Sequence, residues 1–162
     1  KVLFNAAAVG YLITRNATTA GAEGGCQAEV GAASAMAASA AVELLGGTPA
    51  QCLDAASFAI VNILGLVCDP IGGLVENPCQ NRNAMGASNA LISAELSMAG
   101  IRSITPIDET IGVMYAVGRS IPSELRETSL GGMAVAKSAC EACAACAAGR
   151  KNRHTGVENE KN

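Results

Sequence analysis

The sequence contains no tryptophan, aromatics make up 2% of it, and it holds one histidine and four lysines in 162 residues. Each shortage excludes something. A core poor in large side chains argues against a β-sandwich and for helices packed closely around small residues. The one histidine, His154, sits in a polar C-terminal stretch and reads as an exposed tail residue. A Ser-His-Asp or Cys-His relay therefore cannot be built from this chain alone. Lys1, Lys137, Lys151 and Lys161 all lie towards the ends, which speaks against a pyridoxal phosphate cofactor bound to a core lysine. The net charge of −3 gives no basic footprint for nucleic acid and no polybasic membrane patch. The most hydrophobic run, Ala55 to Val67, is interrupted by Asn62 and falls short of the roughly 20 residues a bilayer span needs. It reads as a buried core helix. No signal peptide is visible, and no Walker or dinucleotide glycine motif follows a strand-like segment.

What is present is half hydrophobic and rich in alanine, glycine and serine. The length suits one core-bearing domain, and the pattern is all-α. A helix is expected over 2–15, apolar on most faces, then a loop over 16–25. A long Ala-rich helix from about Cys26 to Leu45 is stopped by Gly46-Gly47. Thr48-Pro49-Ala50-Gln51 is a capping box with proline at the first helical position and opens a helix to about Leu64. Asn77-Pro78-Cys79-Gln80 repeats the cap pattern before a helix to Ala99. Thr105-Pro106-Ile107-Asp108 starts another, ending near Gly118, a short helix follows Pro122, and Met133 to Ala148 is helix-prone. Residues 1–149 thus read as one helical domain, and 150–162 as a polar, disordered tail. The chain enters an apolar helix directly at Lys1, which reads as a cut inside a longer protein.

Seven cysteines are an odd count in a chain without secretion features. That favours metal or cluster ligation in a reducing, cytoplasmic compartment over disulfides. Cys68 and Cys79 lie in a Gly/Pro-broken stretch between two apolar helical runs, and Cys26 follows Gly24-Gly25 in a similar setting. Irregular backbone can aim several thiols at one point. Three thiols without histidine make a poor closed zinc site, which wants four ligands. They suit a cubane iron–sulfur cluster with one iron left open. The spacing alone fits three buried, inert cysteines at least as well. Cys26 and Cys79 fall at expected helix starts, where the dipole and free N–H groups favour thiolate. Cys140-x2-Cys143-x2-Cys146 has a ferredoxin-like spacing, but in helix-prone sequence whose thiols do not converge. It reads as three reduced thiols on a helix or as a mobile segment that touches the cluster. Cys52 reads as a small core residue.

The segments Gly21-Ala-Glu-Gly-Gly-Cys26-Gln-Ala-Glu-Val-Gly31, Gly65-Leu-Val-Cys68-Asp-Pro70 and Asn77-Pro78-Cys79-x-x-Arg82-Asn83-Ala84 carry more than spacing. With Leu125-Arg126-Glu127-Thr128 and Leu130-Gly131-Gly132, they resemble the α domain of bacterial iron–sulfur L-serine dehydratases over about residues 2–136. The resemblance implies conversion of L-serine to pyruvate and ammonia by β-elimination of water. It implies a [4Fe-4S] cluster on Cys26, Cys68 and Cys79, and an all-helical catalytic domain paired with a β domain or β subunit in a homo- or hetero-oligomer. This chain would be the C-terminal part of the α domain, inactive by itself and exposing apolar surface where partner segments belong. Some family members bring a C-terminal cysteine to the open iron. Cys140 stands near that place, but the chain continues with two further cysteines.

In such an oxygen-sensitive lyase, the open iron would act as Lewis acid on the serine hydroxyl. Arg82 and Asn83 are candidates for binding the substrate carboxylate, with a structural ion pair as the alternative for Arg82. Asn77 and Gln27 would cap helices or hydrogen-bond cluster sulfurs. Glu23 is a candidate acid/base group or a buried ion-pair partner. Two readings stand beside the lyase: a redox module on Cys140, Cys143 and Cys146, and a cluster-free helical interaction domain.

Overall fold

The computed structural model describes residues 1–144. The elements are α1 (Val2–Asn16), α2 (Gly21–Gly24), α3 (Cys26–Leu44), α4 (Pro49–Asn62), α5 (Cys79–Met98) and α6 (Ile107–Ser120). Single 3-10 turns occur at Ile71–Gly73, Ser123–Leu125 and Gly132–Val135, and residues 137–144 are helical. No strand forms among the described residues, and a lone bridge joins Cys68 to Arg126. The fold is all-α, as the composition implies.

α3 is the axis of the bundle, with α1, α4 and α5 packed around it. Its buried positions run nearly all the way round: Val30, Ala32, Ala35, Ala38 and Val42 are apolar, and Ser34 and Ser39 are polar. Small side chains let neighbouring backbones come close, which replaces bulk with contact area. A Cβ on Gly86 of α5 would stand 2.6 Å from Val30 Cγ1, and one on Gly10 of α1 would stand 2.9 Å from Met36 Sδ.

Most buried polar groups between α3, α4 and α5 are paired, as burial requires, although Ser57 Oγ of α4 has no partner among the described residues. Asn89 Nδ2 donates to Ser34 Oγ at 2.9 Å and to the Ala59 carbonyl at 2.8 Å, while its Oδ1 accepts from Asn62 Nδ2 at 2.8 Å. That one side chain ties α3, α4 and α5 together.

The Thr48–Gln51 capping box forms as the sequence indicates. At Asn77-Pro78-Cys79 the expected cap does not form: α5 starts at Cys79 with no side-chain bond at its N-cap. The Asn77 carbonyl accepts from Ile71 N–H at 2.8 Å instead. The expected 16–25 loop contains the helical turn α2. The helix expected from Met133 is broken at Ala136 between the 3-10 turn and residues 137–144. The 150–162 tail and the end of that helix lie outside the described residues.

The surface carries large apolar side chains. Leu3 and Phe4 are 84% and 83% exposed, and Phe4, Ala8, Pro49 and Leu53 line a cavity of about 630 Å³. No described helix is long and apolar enough to cross a membrane.

Candidate functional site

The loop between α4 and α5, together with the first turn of α3, gathers the three spaced cysteines. Gly25 has φ +74°, and a Cβ there would meet the Leu66 carbonyl at 2.7 Å and Ile121 Cδ1 at 2.9 Å. Only glycine permits that approach. It lets α3 start with Cys26 against the 66–68 segment, where Gln27 N–H donates to the Leu66 carbonyl at 2.9 Å. Cys26 and Cys68 pack together with Val30, Ile63 and Leu66. Cys79 is the first residue of α5, and all three thiols are buried and unbridged.

Charge on Cys26 acts on both of the other thiols. The Cys68 thiol is pushed far up from the usual range, by burial first, then by charge on Cys26 and a hydrogen bond with it, then by Glu127 and Glu29. Cys79 is pushed up by burial first, then by Cys26 and Glu29, against smaller pulls from its own backbone N–H and Arg82. The helix start expected to favour thiolate at Cys79 is therefore outweighed: desolvation and a neighbouring sulfur's charge exceed the help of N–H groups.

Arg82, one turn into α5, points back over this group. Its Nη1 donates to Asp69 Oδ1 at 2.5 Å, to the Val67 carbonyl at 2.9 Å and towards Cys26 Sγ at 3.9 Å. Burial alone would lower its pKa, but the bond and attraction to Asp69, then to Cys26, outweigh this and raise it. Its Nε and Nη2 have no hydrogen-bond partner among the described residues.

The donor set fits a cysteine-ligated iron–sulfur group. Charge on Cys26 disfavours ionisation of Cys68 and Cys79, an effect that a bound cationic centre would reverse. Gly21 leaves the room beside them: a Cβ there would stand 3.2 Å from Cys68 Sγ. Among the described residues no group of three or more His, Cys, Asp or Glu side chains stands close enough together to hold a metal ion.

The family model of the serine dehydratase alpha chain matches residues 1–134. The chain belongs to the serine dehydratase alpha chain family. It is 60% identical to an L-serine dehydratase alpha chain of Peptoniphilus asaccharolyticus, over 80% of this chain and 44% of that one. A probable L-serine dehydratase alpha chain of Bacillus subtilis is 54% identical, over 87% of this chain and 47% of its own length. An L-serine dehydratase of Escherichia coli is 45% identical over 80% of this chain and 29% of its own length. The chain thus spans about half the length, or less, of these relatives.

The other residues singled out by sequence are placed as follows. Gln27 neither caps a helix nor turns to a sulfur: its Nε2 donates to the Met114 carbonyl at 2.7 Å, and its Oε1 accepts from Gly65 N–H at 2.8 Å. Asn83 Nδ2 donates to the Cys79 carbonyl at 2.9 Å, and the residue is exposed. Glu23 is exposed, and its carboxylate forms no ion pair among the described residues. Its backbone carbonyl accepts from Arg126 Nη1 at 3.4 Å, and its N–H donates to the Ala20 carbonyl at 3.1 Å. Cys52 is a buried core residue. Cys140 Sγ faces the Ala134 carbonyl at 3.7 Å, and a Cβ on Gly72 would stand 2.8 Å from Cys143 Sγ. Cys146 and His154 lie outside the described residues.

Sequence reasoning missed three acidic residues at this site. Asp69 holds Arg82, and Glu29 and Glu127 bring carboxylate oxygens to within 3.2 Å and 3.5 Å of a Cβ position at Gly21, beside Cys68. All three stood inside quoted motifs. An acidic residue flanked by cysteine and proline ahead of an arginine was the available signal.

Proposed function

We propose that this chain is the thiol-bearing part of an enzyme that converts L-serine to pyruvate and ammonia, with Cys26, Cys68 and Cys79 as ligands of a [4Fe-4S] cluster. The observation that carries the reading is the packing of Cys26 against Cys68 under the Arg82 guanidinium, with Cys79 at the start of the helix that bears Arg82. The names of the relatives, L-serine dehydratases, supply the reaction.

When bound, such a cluster supplies a Lewis acid for the departing hydroxyl. The chain's own residues do the rest of what falls to this half. Arg82, fixed through Nη1 by Asp69 and the Val67 carbonyl, keeps Nε and Nη2 to bind a substrate carboxylate in a fork. Glu29 and Glu127, near Cys68, are placed to accept bonds from the substrate ammonium. Asn83, exposed on the same helical turn as Arg82, offers its carbonyl oxygen to the same substrate. Ile63, Leu66 and Val30 wall the inner side and keep water from Cys26 and Cys68. The β domain or β subunit, and the remainder of the α chain, would close the outer side and bring the base for the α-proton. Cys140 is the nearest candidate for a tail ligand, being carried on a segment that packs onto the 71–77 loop through Cys143.

The test is anaerobic pyruvate formation from L-serine by the complete enzyme that contains this chain. Turnover that is lost on exposure to air, and lost in Cys26→Ser, Cys68→Ser and Cys79→Ser, is the expected result. Turnover unaffected by those three changes would overturn the reading.

A further inference from the structure

Residues 125–133 form a strap that is stitched, residue by residue, onto Cys68-Asp69-Pro70. Cys68 N–H donates to the Leu125 carbonyl at 2.8 Å, and Glu127 N–H donates to the Cys68 carbonyl at 2.7 Å. Ser129 Oγ donates to the Pro70 carbonyl at 2.6 Å. Between these, the Asp69 side chain is 2% exposed and splits its two oxygens: Oδ1 takes Arg82 Nη1 at 2.5 Å, and Oδ2 takes Met133 N–H at 2.6 Å.

The strap is shaped for that contact. Gly132 has φ +62°, and a Cβ there would fall 2.2 Å from Asp69 Oδ2, so only a glycine lets Met133 N–H arrive. Glu127 and Ser129 also hold positive φ, 66° and 58°, a conformation non-glycine residues adopt only when their surroundings enforce it.

We propose that Asp69 is a positioning residue that couples the strap to Arg82: one carboxylate sets the guanidinium over the thiols only while the strap is docked on its other oxygen. A charge-assisted bond on each oxygen fixes the carboxylate plane, and that plane fixes the direction of the Arg82 fork. Release of the strap frees the carboxylate to turn, and the fork turns with it. Docking of residues 125–133 thereby becomes a condition for productive carboxylate binding at Arg82. That last consequence rests on the serine dehydratase reading; the coupling itself does not.

Amide hydrogen exchange of the peptide containing Met133 tests the coupling in the complete enzyme, in wild type, Asp69→Asn, Arg82→Met and the double variant. Asp69→Asn should raise exchange on the order of tenfold or more. Arg82→Met, which touches no strap residue, should raise it too, and the double variant should add nothing beyond the larger single effect. Gly132→Ala, which displaces the strap from the other side, should reproduce the rise. Exchange of α3 peptides around Ala35 and Ala38 reports that the core stays folded. If Arg82→Met leaves the Met133 peptide at the wild-type rate, or the two effects multiply, the coupling is overturned. KM for L-serine in Gly132→Ala is the second readout: a rise of about tenfold with kcat held within a factor of two or three is expected. An unchanged KM would remove Arg82 positioning from the proposal. If wild type turns over no serine, the functional reading fails and the exchange cycle still decides the coupling.

Discussion

The Gln27 side chain bridges two elements by its two ends, with Nε2 on the Met114 carbonyl at 2.7 Å and Oε1 on the Gly65 N–H at 2.8 Å. It is 1% exposed and sits one residue after Cys26, so the bridge ties the first turn of α3 to α6 and to the turn that leads into Cys68. Gln27→Leu keeps the volume but leaves the Gly65 N–H without its acceptor. Gly65 is exposed and water can satisfy its N–H, so the loss is that of the two hydrogen bonds, about 0.5–1.5 kcal/mol each. The expected outcome is a lower thermal midpoint together with faster alkylation of Cys68 in the unloaded protein. Unchanged stability and alkylation would contradict the bridging role.

Gly86 and Val30 test the close approach of α5 to α3. A Cβ at Gly86 would stand 2.6 Å from Val30 Cγ1, so Gly86→Ala should destabilise by about 1–3 kcal/mol through overpacking. Val30→Ala vacates the clash, and Gly86→Ala with Val30→Ala should then cost less than the sum of the singles. Additive costs in denaturant titration would contradict direct contact.

The all-α class, the Thr48 cap and the spans of the long helices were legible because period, punctuation and capping residues are local signals. Asn77-Pro78 carried the same local signature as Thr48-Pro49 and did not cap, since α5 starts one residue later and so puts Pro78, which has no polar side-chain atom, at the N-cap. Glu23 was singled out as an acid/base candidate and Glu29 was not. The α3 helix, however, carries Glu29 to the place beside Gly21 and Cys68. Asp69 escaped notice because its role needs residues 13 and 64 positions away, Arg82 and Met133. The rise in the Cys79 pKa was not expected. Burial and a neighbouring sulfur decide it, and neither is visible in a helix-start pattern.

Thiol titration gives a pH prediction for the protein without iron or sulfide. Cys68 and Cys79 are raised from 9.0 in the folded state, so the unfolded chain releases these protons first as pH rises. Their contribution to stability is intact below about pH 9 and falls above it, by about 1.4 kcal/mol per pH unit for each thiol that stays protonated only when folded. Cys68→Ser should flatten that alkaline loss in pH-dependent denaturation. An alkaline slope identical to wild type would show that Cys68 does not ionise differently on folding.

Arg82→Lys separates charge from fork geometry. The ammonium keeps a positive charge near Asp69 but cannot hold Asp69, Val67 and a substrate carboxylate together. KM for L-serine should rise by about one to two orders of magnitude, with the larger share of the loss in KM rather than kcat. A wild-type KM would remove Arg82 from substrate binding.

The most direct measurement is iron and acid-labile sulfide per chain after anaerobic reconstitution, in wild type and in Cys26→Ser, Cys68→Ser, Cys79→Ser and the core control Cys52→Ser. The account predicts about four irons and about four sulfides per chain in wild type and in Cys52→Ser, with a large loss in each of the other three. Full loading of a protein that lacks Cys26, Cys68 and Cys79 would contradict it.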